Sequence, residues 1–357
     1  MKLIKKIYRL FRIKLHMFGQ LFKVKKIVNM ESYYTELKRK TKIQRYIDNF
    51  KWVLKHNNLN NFYNLYGMDI KNKVNIDEYC DYNYFMETRN TYNKRQNKAF
   101  DYTVLLRDKF VFEKYMSSMN IKTGVSSAII KNGEILDMNF DKKIDEKNFF
   151  SKKEFFIKSV DGECADGVYY IDSYEKYLKC KNKFKKGIFI VQNKIIQDNK
   201  MNILNKNSVN TIRIVTVNNG KNIEILSSVC RIGTKKSGNV DNWAAGGLCV
   251  VIDTDGKLTR YGFYKPGHGT KTSVHPDTNL KFENYQIPLY EEVKELVIKA
   301  HSLLYGIHSI GFDVAITKDG PVIIEANDNW EISLMQSMYG LKENWNKTLY
   351  KENKYEK

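Results

Sequence analysis

The spacing of apolar and polar positions changes along this chain, and each change predicts a different element. Ile4, Tyr8, Phe11, Leu15, Phe18 and Phe22 recur at steps of four and three, which is one apolar face of an α-helix over residues 1–30. Residues 31–100 read as mostly helical, with polar breaks near Asn57–Asn61 and Asn72–Asn75. Asp108-Lys109-Phe-Val-Phe-Glu starts another helix. Beyond it the pattern shortens to strands. Ser126–Ile130 and Glu134–Leu136 form a hairpin over Lys131-Asn-Gly133, Phe155–Val160 is a strand running into the loop 161–167, and Gly187–Val191 is a short buried strand. Thr211–Val217, Ile223–Ile232 and Leu248–Asp253 are further strands, and a helix over Leu289–Leu304 precedes a last hairpin at 310–327. No repeat and no Pro-rich linker interrupts this order.

The last hairpin, from Gly311 to Asn327, carries the densest chemistry. Lys318-Asp319-Gly320 is a turn signal between two β-branched runs, so a turn centred on Asp319 places Thr317 opposite Pro321, Ala315 opposite Ile323 and Asp313 opposite Glu325. Side chains alternate along a strand, so Asp313, Glu325 and Asn327 share one face, while Val314, Ile316, Val322 and Ile324 point to the core. Like charges directly opposed across strands are destabilising. Solvent, a basic side chain or a bound cation must offset that repulsion. A hard cation such as Mg²⁺ takes one or two carboxylates and completes its shell with water and substrate phosphates.

Composition adds two facts. The 357 residues suggest two or three domains, and the formal net charge of +20 implies attraction to an anionic partner without naming it. The five cysteines, Cys80, Cys164, Cys180, Cys230 and Cys249, are scattered with no CxxC pair, the pattern of reduced thiols in a cytoplasmic protein rather than of a zinc site. Residues 1–30 hold nine Lys or Arg and no acid. Their apolar run is too short to span a bilayer and no small-residue cleavage site follows. Two readings fit: an interfacial helix on the anionic inner leaflet, where each basic residue contributes about 1 kcal/mol, or a helix docked on the rest of the protein. No nucleic-acid motif accompanies the charge.

Lys158 ends an apolar strand before a Gly-containing loop, where an ammonium and backbone amides together can hold phosphate. Arg213 and Arg231 sit inside β-type runs, where a buried arginine needs an anionic partner and an exposed one needs only water.

Taken in order, Arg107-Asp-Lys109, Phe156-Ile-Lys158-Ser-Val-Asp-Gly162, Asn210-Thr-Ile-Arg213, Val240-Asp-Asn242-Trp-Ala-Ala-Gly246-Gly247, His275-Pro-Asp-Thr278 and Gly311-Phe-Asp313 through Glu325-Ala-Asn327 resemble the ATP-grasp superfamily. The match is most like its sugar-transfer-associated branch, found among capsule and surface-polysaccharide functions. The resemblance implies an α+β ATP-grasp fold, two α+β subdomains clasping a nucleotide, with 101–190 as the first and 191–345 as the second. A basic helix (1–30) and a mostly helical region (31–100) precede them, and a polar tail (346–357) follows.

The same resemblance implies roles for residues. Lys109 and Lys158, with Gly162, would approach the ATP phosphates. Gln192, Asn193, Lys194 and Ile195, following Val191, would form the adenine hinge. Asp313, Glu325 and Asn327 would hold Mg²⁺. Arg213 and Arg231 would stabilise charge on the transferred phosphoryl group, and Asn242, Gly246, Gly247 and His275 would lie near the acceptor. Two places depart from the pattern: Glu163, Cys164 and Asp166 stand in a loop usually richer in Gly and Ser, and Gln192 stands where Glu is common. The activity implied is ATP- and Mg²⁺-dependent activation of a carboxylate as an acyl phosphate, followed by amide formation with an amine. A kinase on the same fold, acting on a sugar or related small molecule, and a non-catalytic basic protein on membrane or polymer are the alternatives. The expected partners are a small-molecule or glycan-linked carboxylate and an amine acceptor, in the cytoplasm or at the inner membrane face.

Overall fold

The structure, a computed structural model, describes residues 2–95, 101–162, 167–238 and 240–349, with side chains left out for 2–13 and 95. Glu163, Cys164 and Asp166 of the expected phosphate loop lie outside the described residues, as do 350–357 of the tail and the side chains of Ile4, Tyr8 and Phe11.

The N-terminal region contains α1 (Lys2–Asn29), α2 (Lys42–His56) and α3 (Tyr82–Arg95). Thr41 starts α2 with a capping box: its hydroxyl accepts from the Gln44 amide and the Gln44 side chain accepts from the Thr41 amide. Two short helices follow, α4 (Val104–Arg107) and α5 (Lys109–Ser118), the latter capped by Asp108, whose carboxylate accepts from the amides of Phe110 and Val111.

The first sheet comprises β1 (Ser126–Lys131), β2 (Glu134–Leu136), β3 (Phe155–Ser159), β4 (Val168–Ile171) and β5 (Ile188–Asn193) in the order β2-β1-β5-β3-β4, all pairs antiparallel. Helices α6 (Glu146–Phe150) and α7 (Tyr174–Cys180) help build its core, where Phe150, Phe155, Tyr177 and Phe184 meet.

After α8 (Asn199–Leu204) comes the second sheet, with β6 (Thr211–Asn218), β7 (Ile223–Ile232), β8 (Leu248–Ile252), β9 (Leu258–Tyr264) and β10 (Lys271–Thr272). Helix α9 (Tyr290–Ser302) then leads to β11 (Ser309–Thr317) and β12 (Gly320–Asn327), and α10 (Ile332–Met335) and α11 (Lys342–Thr348) finish the described chain. The strand order is β10-β9-β8-β7-β6-β11-β12.

Both faces of this sheet are covered, and alternation shows by what. Ile212, Ile214, Cys230, Leu248 and Val250 pack against α9 residues Val293 and Val297 and against Phe112 and Met116 of α5. The other face, through Val215, Val217, Val229, Cys249 and Val251, packs on Tyr63, Leu65, Tyr66 and Phe85 of the N-terminal region and on Trp330 and Trp345. Residues 31–95 help to cover the second sheet, and Leu106, Phe112 and Met116, within the span assigned from sequence to the first half, join the core of the second.

The β11–β12 hairpin differs from its predicted register. Thr317 pairs with Gly320, Ala315 with Val322 and Val314 with Ile323; a bulge between Asp313 and Val314 then restores Asp313 opposite Glu325, with Gly311 opposite Asn327. The shorter turn follows from Gly320, whose φ of +107° only glycine adopts without strain. The tighter turn brings Ile323 into the core in place of Val322 and Ile324, the bulge keeps Ala326 there, and Ile324 instead lines the cavity beside Glu325.

Candidate active site

The two sheets enclose a cleft of about 490 Å³, walled by Phe156, Lys158 and Gln192 from the first and by Thr211, Arg213, Arg231, Asp313, Glu325 and Asn327 from the second. Tyr82 and Met86 of α3 also line it. Lys109, at the start of α5, enters from the side: its amide donates to the Val160 carbonyl, its ammonium donates to the Gly162 carbonyl, and the same nitrogen stands 3.5 Å from Glu325 Oε1. Lys109 therefore links the described start of the 161–167 loop to the acidic hairpin. Lys158 comes from β3, and its ammonium donates to Gln192 Oε1 at 2.7 Å. Burial pushes the Lys158 ammonium below the usual lysine range, the Glu325 charge opposes that shift, and the neighbouring Lys109 adds to it.

Arginine and aspartate alternate across the sheet. Asp313 lies directly opposite Arg213 on β6, whose Nε and Nη2 reach both carboxylate oxygens, the latter at 2.8 Å, and Arg231 Nη1 stands 3.3 Å from Asp313 Oδ2. Arg231 also donates to Asp241 at 2.9 Å, and Asp241 accepts from the Thr211 amide at 3.0 Å and from the Thr211 hydroxyl. Burial works to raise the Asp313 carboxyl, but the two arginine charges and the Arg213 hydrogen bond outweigh it and hold Asp313 below the ordinary carboxylate range. The repulsion between Asp313 and Glu325 expected from the sequence is thus offset by basic side chains within the protein.

The expected hinge is held more tightly than its assignment implied. The Asn193 amide donates to Val125 at 2.9 Å and the Lys194 amide to Glu154 at 3.2 Å, so both N–H groups are used inside the protein. The Lys194 ammonium pairs with Glu154 at 2.6 Å, in a second cavity that shares Phe156, Asn193, Ile195 and Val209 with the main cleft. Ile195 is the hinge residue beyond these bonds that lines both.

Among the four expected acceptor residues, Asn242 lines the cleft and the other three do not. His275 is fully buried: Nε2 donates to the Gly233 carbonyl at 2.8 Å, and Nδ1 accepts from the amides of Asp277 and Thr278. It fastens a turn and does not line the cleft. Gly246 has φ +99°, and a Cβ on Gly247 would stand 2.7 Å from the Asp241 carbonyl; both serve the tight turn after Trp243. Sequence reasoning missed Asp241, Lys265, Asn329 and Glu331, all of which line the cleft. Asp241 sat inside a quoted motif, and a buried Arg231 needing a partner was the available signal.

Mg²⁺ can be tested against these donors. Glu325 is one-third exposed and faces the cleft beside Asn327, giving one carboxylate and one amide oxygen, whereas the oxygens of Asp313 already accept from two arginines. Among the described residues no three His, Cys, Asp or Glu side chains gather into a metal cage. That set fits an ion held by one or two protein oxygens and completed by substrate phosphates. Glu325 and Asn327 would hold it, and Asp313 fits as a ligand only through lone pairs its arginines leave free.

Comparison with known proteins gives a match to the family model for sugar-transfer associated ATP-grasp over residues 87–348. No curated protein matches the sequence. Among solved structures, the fold is similar to N5-carboxyaminoimidazole synthase from Aspergillus clavatus in complex with ADP and 5-aminoimidazole ribonucleotide, at 9% identity and TM-score 0.40 over 65% of this chain and 47% of that one. It is also similar to D-alanine–D-alanine ligase from Bacillus anthracis complexed with ATP, at 12% identity and TM-score 0.40 over 64% and 56%. N5-carboxyaminoimidazole ribonucleotide synthetase from Thermotoga maritima matches at 12% identity and TM-score 0.37 over 67% and 48%. The chain spans about half the length of these structures.

Proposed function

The chain belongs to the sugar-transfer associated ATP-grasp family, and on that premise we propose that it is an ATP- and Mg²⁺-dependent ligase that activates a carboxylate as an acyl phosphate and joins it to an amine, in the making of a capsule or other surface polysaccharide. One observation carries this reading: Lys109, Lys158, Arg213 and Arg231 converge with Glu325 and Asn327 in a single cleft between two sheets. Four cations around one cavity suit a polyphosphate whose charge is about to be redistributed.

The chemistry needs position and charge rather than a nucleophilic side chain. Lys158 and Lys109 hold phosphate oxygens from the two sides of the cleft. The substrate carboxylate attacks the γ-phosphorus, the bond to ADP breaks, and the amine then attacks the acyl carbon, expelling phosphate and giving up a proton. Arg213 and Arg231 face the charge that builds on the transferred group, and Asp313 keeps both guanidinium groups aimed. Bound Mg²⁺ supplies charge neutralisation at the phosphates. Asn242, Lys265, Asn329 and Glu331, which also line the cleft, would meet the acceptor.

The test is incubation with ATP, Mg²⁺, candidate sugar and amino-acid carboxylates, and hydroxylamine. Hydroxamate formation is the expected result. A stable phosphate ester instead would identify a kinase, and absence of nucleotide binding would end the proposal.

A further inference from the structure

The first two helices leave apolar faces that the rest of the described chain does not cover. On α1, Leu15, Phe18 and Phe22 are exposed, Phe22 by 86%. On α2, Ile43, Ile47, Phe50 and Leu54 are exposed, Ile43 by 72%. Each set follows helical spacing, so each is one continuous stripe. The helices pack on one another through Val24, Val28 and Val53, and on the body through Ile27 and Trp52. At about 100° per residue both stripes lie roughly 120–180° around from those body-facing residues, so both face outward on the same side.

Charge selects the partner. Nine Lys or Arg lie on α1 with no acid; α2 carries Lys42 and Lys51, together with Arg45, which donates to the Val28 carbonyl, and Lys55, which pairs with Asp77 at 2.6 Å, and it has one acid, Asp48. Asp48 is already taken, accepting from Lys40 at 2.7 Å and from the Tyr63 hydroxyl at 2.8 Å. A second copy of the chain would set this cationic surface against itself. No described helix is long and apolar enough to cross a membrane. A surface that offers acyl chains to the stripes and anionic headgroups to the flanking lysines satisfies both features.

We propose that α1 and α2 together form a two-helix platform that lies in the surface of an anionic membrane, Phe18 and Phe22 entering beside Ile43 and Leu54. The platform does not depend on the reaction proposed above. It differs from an anchor built on residues 1–30 alone, because half of the inserted surface belongs to α2.

The test uses the full chain and vesicles of phosphatidylcholine with or without phosphatidylglycerol. Sedimentation with the anionic vesicles should exceed that with neutral ones by about tenfold and should fall as salt rises. The pair Ile43→Ser and Leu54→Ser on α2 should weaken binding about tenfold, as should Phe18→Ser and Phe22→Ser on α1, with circular dichroism unchanged. If a serine pair fails to fold, Lys14→Glu with Lys51→Glu should give the same loss. Full binding by the α2 variant, equal binding to neutral vesicles, or a dimer by light scattering that ignores vesicles would each overturn the platform.

Discussion

Arg213 holds both carboxylate oxygens of Asp313 from the position directly across from it on the neighbouring strand. A buried ion pair of this kind contributes little net stability, but losing one partner strands a charge. Arg213→Met should therefore lower unfolding free energy by about 3 kcal/mol, since Arg231 at 3.3 Å compensates only in part. Arg213→Met combined with Asp313→Leu should recover most of that loss while remaining inactive. Denaturant unfolding of the three proteins checks this, and a double variant no more stable than Arg213→Met would show that the pair is not the source of the loss.

Glu325 separates a role in turnover from one in folding. Its side chain is one-third exposed and its closest cation, Lys109, is 3.5 Å away, so the protein does not rely on it as it relies on Asp313. Glu325→Gln should leave the melting temperature within a few degrees of the unmodified protein and reduce ATP turnover by about a hundredfold or more. Turnover that survives would remove Glu325 from the proposed metal site.

Nucleotide affinity should depend on Lys158 in a pH-sensitive way. Burial lowers the pKa of its ammonium and Glu325 opposes that shift, so the charge is lost at lower pH than on an exposed lysine. Binding of a non-hydrolysable ATP analogue, followed by calorimetry, should weaken as pH rises through that lowered value. Lys158→Met should bind about tenfold more weakly at neutral pH and lose this dependence. An unchanged pH profile in the variant would assign the titration to another group.

Much of this site was legible because its residues obey short-range rules. Alternation along two strands placed Asp313, Glu325 and Asn327 on one face, and Arg213 and Arg231 inside β-runs had to find anions once buried. The register error at the hairpin came from the turn: a centre on Asp319 and the observed tighter turn differ by one residue, and only the bulge after Asp313 reconciles the tighter turn with the opposed acids. Long-range partnership was not legible. Asp241 reaches Arg231 because the loop between β7 and β8 folds back over the sheet, where it also meets Thr211 of β6, and Phe112 joins the second core because α5 crosses to it. The cover of the second sheet by residues 31–95 was equally hidden, since Tyr63, Tyr66 and Phe85 carry no periodicity that names their partner.

Two histidines far from the proposed chemistry should set the acid limit of the fold. His301 Nε2 donates to the Ile307 carbonyl at 2.9 Å and Nδ1 accepts from the Thr216 hydroxyl at 2.7 Å, so both nitrogens of the neutral ring are satisfied. His308 is as deeply buried, and burial lowers both from 6.5 to about 4. Because the folded value lies below the unfolded one, the contribution of each ring is present above pH 6.5 and is lost as pH falls towards 4. The shift corresponds to about 3 kcal/mol for each ring. His301→Gln keeps a donor for Ile307 and an acceptor for Thr216 but cannot titrate. It should be less stable than the unmodified protein at neutral pH and should lose about 3 kcal/mol less on acidification to the folded pKa, as measured by denaturant unfolding at both pH values. Identical acid slopes in the two proteins would show that His301 is not responsible for the acid limit.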